Sequence, residues 1–176
     1  MSQLAEDLLS QAVMLARVDS ARPKAANLRR AVSAAYYGLF HHLIDSAGRL
    51  LAGTQSTDWP LVAMATRAFN HADMRAACRA FPNPQPPEIF RPLWAQYGVP
   101  GNVDLSLAAR SFIRLQELRH AADYDLSRTW LRSQAVTTID LAREAIAAWE
   151  RLRQQQRDLA RLAALTMLLW KQLQSR

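Results

Sequence analysis

The sequence predicts an all-α protein, an up-and-down bundle of five to six helices with one ordered proline-rich insertion. Apolar residues recur along it at spacings of three and four, and no strand-length segment alternates with a period of two. The 176 residues include only 5 Gly and 8 Pro. Most of the prolines fall within 82–100, so long stretches of good helix formers are left uninterrupted.

Length and composition predict one domain over residues 1–176, large enough to bury a core without disulfides. The formal net charge is +7, which favours phosphate-bearing partners but equally suits a basic protein with solvated faces. The single cysteine, Cys78, fits a reducing cytoplasm and a small core residue. Because acidic residues lie among the first apolar positions and no stretch approaches a membrane-spanning length, we expect no signal peptide, no membrane contact and a cytoplasmic location.

The first predicted helix covers 2–18, and its apolar stripe is Leu4, Leu8, Leu15 and Val18. A turn at 19–24 contains Pro23, which suits the start of the next helix. That second helix ends near Gly48 or Gly53. Its predicted buried face is Leu28, Val32, Ala35, Leu39, Leu43 and Ala47.

A third helix is predicted over 59–80, after Asp58 and with Pro60 in its first turn. Its weaker apolar stripe is Leu61, Met64, Ala65, Ala68 and Ala72. The prolines of 82–101 exclude helix interiors there, yet the segment keeps apolar residues. We therefore expect an ordered insertion, for which a substrate lid and a dimerisation arm both remain open.

A fourth helix is predicted from Asn102 or Asp104, either of which can cap it, to about Ala122. Ser127 is expected to cap the last element, whose stripe is Leu131, Ala135, Ile139, Ala142, Ile146, Trp149 and Leu152. The stripe resumes at Leu159. The polar patch at 153–158 predicts a bend or a break, after which 153–176 forms a C-terminal helical extension.

Two segments concentrate Arg, His, Tyr and Asp among small and apolar residues: 27–44, NLRRAVSAAYYGLFHHLI, and 117–125, ELRHAADYD. A polar group buried in a helical core must be paired or functional. The combination of an RRAVSAAYYGLFH helix with a later RHAADYD resembles the HEPN family of small all-helical domains. The resemblance covers most of the chain but not the proline-rich insertion or the final residues.

The resemblance implies an activity. Catalytic HEPN proteins are metal-independent ribonucleases with an Arg and a His separated by a short interval, and two copies dimerise so that both motifs face one cleft. Arg114 and His120, separated by five residues, match this motif. Arg114 is the phosphate-stabilising candidate, and His120 is the acid/base. Leu115 departs from the polar residue, commonly Asn, that often follows the Arg.

Further residues receive predicted roles. The spacing of Arg119 and Asp123 favours an ion pair on one helix face. The predicted structural polar network is Arg119, Asp123, Tyr36 and Tyr124. The predicted RNA contacts are Arg29, Arg30, Tyr37 and Arg119. His41 and Asp45 form at most half of a zinc site, so we expect no metal and no cofactor.

Two readings of the function remain. The first is a homodimeric, RNA-acting HEPN protein: either an endoribonuclease of the toxin or defence kind, for which the family suggests a nucleotidyltransferase antitoxin as partner, or a derivative that only binds RNA. The alternative is a non-catalytic helical interaction module that binds a partner protein or a nucleotide-related ligand.

Overall fold

The computed structural model describes residues 2–19 and 21–174, so Met1, Ser20 of the predicted turn and the last two residues of the predicted extension lie outside it. Within these ranges the chain forms eight α-helices and two 3-10 helices, and no β-strand. The α-helices are α1 Gln3–Arg17, α2 Ala25–Ala52, α3 Trp59–Ala68, α4 His71–Ala80, α5 Arg91–Tyr97, α6 Val103–Tyr124, α7 Arg132–Gln155 and α8 Arg157–Gln174. The all-helical prediction is confirmed. None of the described helices combines the length and apolarity needed to cross a bilayer.

The helix count exceeds the predicted five to six for two local reasons, the split of the third predicted helix and the short helix in the proline-rich segment. The predicted helix over 59–80 is split, because Phe69 is extended and the Asn70 side chain caps α4 by accepting from the Asp73 N–H at 2.9 Å. The proline-rich segment contains α5, and Pro92 lies in the first turn of this helix. A backbone N–H at that position would have no intrahelical acceptor, so the N–H that proline lacks costs no helical hydrogen bond. The predicted break in 153–158 falls at Gln156, between α7 and α8.

The described chain divides into two compact units. The first comprises the chain up to His42 together with Ser111–Ile146, and the second comprises Leu43–Arg110 together with the chain from Ala147 onward. Helices α2, α6 and α7 therefore contribute residues to both units.

In the first unit, the predicted buried face of α2 is confirmed by Leu28, Val32, Ala35 and Leu39. The predicted stripe of α1 is wrong, because Leu4 and Val18 are more than half exposed. The buried face is instead Ala5, Leu9, Ala12 and Ala16. At Gly38 an added Cβ would lie 3.0 Å from Leu9 Cγ, so α1 approaches α2 through small side chains rather than through a leucine stripe.

In the second unit, α4 packs on α8, and aromatic rings anchor the proline-rich segment. The Trp94 ring lies 5.5 Å from that of Phe81 and 5.4 Å from that of Phe90. Phe90 also stacks on Trp170 at 5.3 Å. Cys78 is buried as predicted, and burial raises the pKa of its thiol. The predicted α3 stripe is wrong, since Leu61 and Met64 are exposed and Val62 is the buried residue.

The ends of three helices test the predicted caps. The Asn102 side chain caps α6 by accepting from the Leu105 N–H at 2.9 Å. Gly53 ends α2 with a φ of +118°, where glycine carries no Cβ penalty. Ser127 is not the cap of the last element, because α7 begins at Arg132. Leu131, expected in the stripe, is exposed.

Candidate functional site

The end of α6 is tied to α2 by a polar network in the first unit. Arg119 Nε lies 3.0 Å from Asp123 Oδ2, one turn along α6, so the ion pair expected from their spacing is present. The Arg119 guanidinium also donates to Tyr37 Oη at 2.8 Å, and Ser33 Oγ donates to Asp123 Oδ1 at 2.6 Å. The bond to Tyr37, reinforced by the Asp123 charge, raises the pKa of Arg119. These contacts fix the charged side chains of α6 against one face of α2.

The two other predicted members of this network lie beside Arg119. The guanidinium carbon is 6.0 Å from the ring centroid of buried Tyr36 and 6.0 Å from that of Tyr124, which is exposed. The bond from Ser33 to Asp123 was not predicted, because a serine within a helix gives no signal of a partner ninety residues away. Tyr37 was predicted as an RNA contact, and its hydroxyl is bound by Arg119.

Arg29 holds the segment that follows α6. Its guanidinium donates to the carbonyl oxygens of Ala122, Asp125 and Arg128 at 2.7, 2.9 and 2.8 Å. The last carbonyls of a helix have no intrahelical donor, so a cation that satisfies them is favourable. The structure thus gives Arg29 a loop-holding role that the sequence analysis missed. Its predicted RNA contact stays a prediction, as does that of Arg30, which is exposed on α2.

Arg114 and His120 are both exposed on α6. The Arg114 side chain is 59 % exposed and forms a loose ion pair with Glu117 at 3.8 Å. The His120 ring lies 4.9 Å from the Tyr124 ring. Since α6 is continuous from Val103 to Tyr124, the step of six positions from Arg114 to His120 turns the two side chains apart by about 120° and separates them by ~9 Å along the axis. A single copy does not bring them together.

A cavity of about 280 Å³ lies beside Arg114 in the first unit. Its polar walls come from α6, from the α6–α7 connection and from the first turns of α7: Arg114, Arg128, Trp130, Ser133, Gln134 and Thr137. The Arg128 guanidinium carbon lies 4.1 Å from the Trp130 ring centroid, a cation–π contact. His120 does not line this cavity.

Asp45, which with His41 forms at most half of a zinc site, has another partner in the structure. Asp45 pairs with Arg49 at 3.0 Å, so its carboxylate already has a cationic partner. Across residues 2–19 and 21–174, no group of three or more His, Cys, Asp or Glu side chains is placed to hold a metal ion.

The chain matches no protein-family model, no curated protein and no solved structure.

Proposed function

We propose that this protein is a homodimeric, RNA-acting protein of the HEPN type and a metal-independent endoribonuclease of the toxin or defence kind. The observation that carries the proposal is the pair of exposed side chains, Arg114 and His120, on one continuous helix whose end is locked by Arg29 and Arg119. A locked scaffold with exposed functional groups is what catalysis by positioning requires.

The site is composite in this proposal. The separation of Arg114 from His120 along α6 requires a second copy, so that both motifs face one cleft. The net charge of +7 favours the approach of an RNA strand. Of the predicted RNA contacts, Arg30 is exposed and can contact the RNA strand directly. Arg29, Tyr37 and Arg119 contribute mainly by holding α2 and the end of α6 in place.

The reaction is a transesterification within the RNA. The ribose 2′-oxygen forms a bond to the adjacent phosphorus as its proton passes to His120, and the bond from phosphorus to the 5′-oxygen breaks. The leaving 5′-oxygen takes a proton from His120 of the second copy. Arg114 stabilises the negative charge that accumulates on the phosphoryl oxygens. The products carry a 2′,3′-cyclic phosphate and a 5′-hydroxyl.

Cleavage of a mixed RNA in the presence of EDTA tests the proposal. We expect 2′,3′-cyclic phosphate ends, and His120→Ala or Arg114→Ala should lower the rate by roughly 10²–10⁴-fold. The matched controls are Arg110→Ala, an exposed arginine earlier on α6, and His71→Ala on α4, and both should retain activity. Equal activity in every variant would reveal a contaminating nuclease and contradict the proposal. So would a strictly monomeric protein in sedimentation at about 50 µM, where weak dimers form.

A second candidate function, the non-catalytic interaction module, is favoured by the apolar side chains around the α6–α7 connection. Tyr124, Leu126 and Leu131 are all exposed there, and Leu126 is 86 % exposed. Such residues can dock a partner protein, for example a nucleotidyltransferase. If expression arrests bacterial growth, relief by Leu126→Asp but not by His120→Ala would replace the first proposal with this one.

A further inference from the structure

Helix α1 has a second apolar face, which the rest of the described chain leaves largely uncovered. This face is the stripe expected from the sequence, in which Leu4 is 51 % and Val18 is 59 % exposed. Leu8 and Leu15 are half-buried, and Gln11 between them is exposed. The face lies about a third of a turn from the side chains that pack on α2, which are Ala5, Leu9, Ala12 and Ala16.

The residues of this face have the spacing of a coiled-coil seam. They follow one another at intervals of four, three, four and three positions: Leu4, Leu8, Gln11, Leu15 and Val18. This alternation is the heptad spacing by which the side chains of one helix pack between those of another. Because α1 is 15 residues long, the seam covers two heptads and ~22 Å. The spacing therefore indicates another helix as the partner of this face.

The seam is complementary to itself when a second α1 lies antiparallel to it with Gln11 at the centre. In that alignment Leu4 meets Val18 of the second copy, and Leu8 meets its Leu15. The two Gln11 amides meet each other, and an amide can donate and accept a hydrogen bond at once. A polar residue at one seam position fixes the register of a helix pair. Every seam position thus has a suitable partner in the same sequence.

Charge favours the antiparallel alignment over a parallel one. Glu6 and Asp7 lie in the first half of α1, and Arg17 lies in its last turn. An antiparallel pair brings the acidic half of each helix toward the basic end of the other, and it opposes the two helix dipoles. A parallel pair would align Glu6 and Asp7 with the same residues of the second copy, which is unfavourable for like charges.

We propose that α1 is a contact between two copies of this chain, packed as an antiparallel helix pair centred on Gln11. The seam contains neither Arg114 nor His120, so it is a separate interface from the one that the composite cleft needs. A chain with two different two-fold contacts assembles into a tetramer when both form. A seam of two heptads is short, so we expect the α1 pair to form at about micromolar concentrations.

Disulfide trapping in the full-length protein tests the alignment. Cys78 is buried and burial raises the pKa of its thiol, so an introduced surface cysteine is the reactive one. Gln11→Cys should form a linked dimer under mild oxidation, because the two Cα atoms at the centre come within disulfide reach, about 4.4–6.8 Å. Ser10→Cys, exposed one position away but off the seam, gives the background. Gln11→Cys that links no faster than Ser10→Cys overturns the inference.

Cysteines at the ends of the seam distinguish the two directions. Leu4→Cys alone should stay unlinked, because the two copies of this position lie ~21 Å apart along an antiparallel pair. A mixture of Leu4→Cys and Val18→Cys should form a linked dimer, since these positions meet. Linkage of Leu4→Cys with itself, and none in the mixture, would indicate a parallel pair and overturn the antiparallel alignment.

Sedimentation measures the strength of the contact. Gln11→Glu sets two carboxylates against each other at the centre, so the apparent Kd of the α1 pair should rise by about tenfold or more. Ser10→Glu adds the same charge off the seam and should leave the Kd unchanged. An unchanged Kd in Gln11→Glu, or a wild-type protein that is monomeric at about 100 µM, overturns the inference.

The same measurement separates this inference from the proposed function. If both hold, Gln11→Glu converts a tetramer into a dimer that still cleaves RNA. If Gln11→Glu converts a dimer into a monomer, the α1 contact is supported and only the proposed composite cleft is contradicted. If the wild type is a dimer that Gln11→Glu leaves intact, only the α1 contact is contradicted.

Discussion

The α6–α7 connection and the proline-rich segment 82–101 are held in opposite ways. Arg29 fixes the end of α6 and the α6–α7 connection by three hydrogen bonds to carbonyl oxygens. The proline-rich segment is anchored by the rings of Phe81, Phe90 and Trp94. Hydrogen bonds are directional and depend on each partner, whereas aromatic burial depends on area and shape. The α6–α7 connection is therefore destabilised by the loss of a single hydrogen-bonding group, whereas the proline-rich segment is destabilised by the loss of buried ring volume.

The largest expected effect is in the aromatic anchor. Trp94→Ala should lower the free energy of unfolding by ~3–5 kcal/mol, because Trp94 is fully buried and its removal leaves a cavity. Trp94→Phe is the matched variant. It keeps a ring and removes an indole N–H that has no acceptor, so it should cost much less. Urea denaturation measures both, and equal losses would show that the ring volume is not what anchors the segment.

An intermediate effect is expected in the polar network at the end of α6. Asp123→Ala removes the ion pair with Arg119 and the acceptor of Ser33. We expect a loss of ~1–3 kcal/mol, less than for a fully buried pair, because the Arg119 and Asp123 side chains are 22 % and 23 % exposed. Asp123→Asn keeps an oxygen for Ser33 and should recover part of the loss. An unchanged denaturation midpoint in Asp123→Ala would mean that this network does not stabilise the fold.

The smallest effect concerns Asp125, just beyond α6. Both the hydroxyl and the N–H of Ser127 donate to Asp125 Oδ1, at 2.6 and 3.1 Å, and these bonds lower the pKa of the carboxyl. Because the folded pKa lies below the unfolded one, the contribution to stability is fully present above the unfolded pKa and is lost as pH falls through the folded pKa. Ser127→Ala should raise the Asp125 pKa toward its ordinary value, which an NMR pH titration of the carboxyl detects. An unaltered pKa would contradict the assignment of Ser127 as its main cause.

The sequence alone determined the helical class and several local features. The α2 stripe from Leu28 to Leu39 and the cap at Asn102 were predictable because they depend on neighbouring residues. The break before α8 was predictable for the same reason. The ion pair between Arg119 and Asp123 also follows from their spacing along one helix.

Only the tertiary structure determined which helix faces are buried and which distant residues bond to each other. Apolar spacing predicts a stripe but not its neighbour, so α1 buries Ala5 and Leu9 against Gly38 and leaves Leu4 exposed. The bonds of Arg29 to the α6–α7 connection span more than ninety residues, and no local pattern encodes them. The cavity lined by Arg114, Arg128 and Trp130 exists because the connection returns against α6. Long-range packing thus selects which of several locally acceptable arrangements forms, since only one buries the apolar surface and satisfies the buried polar groups together.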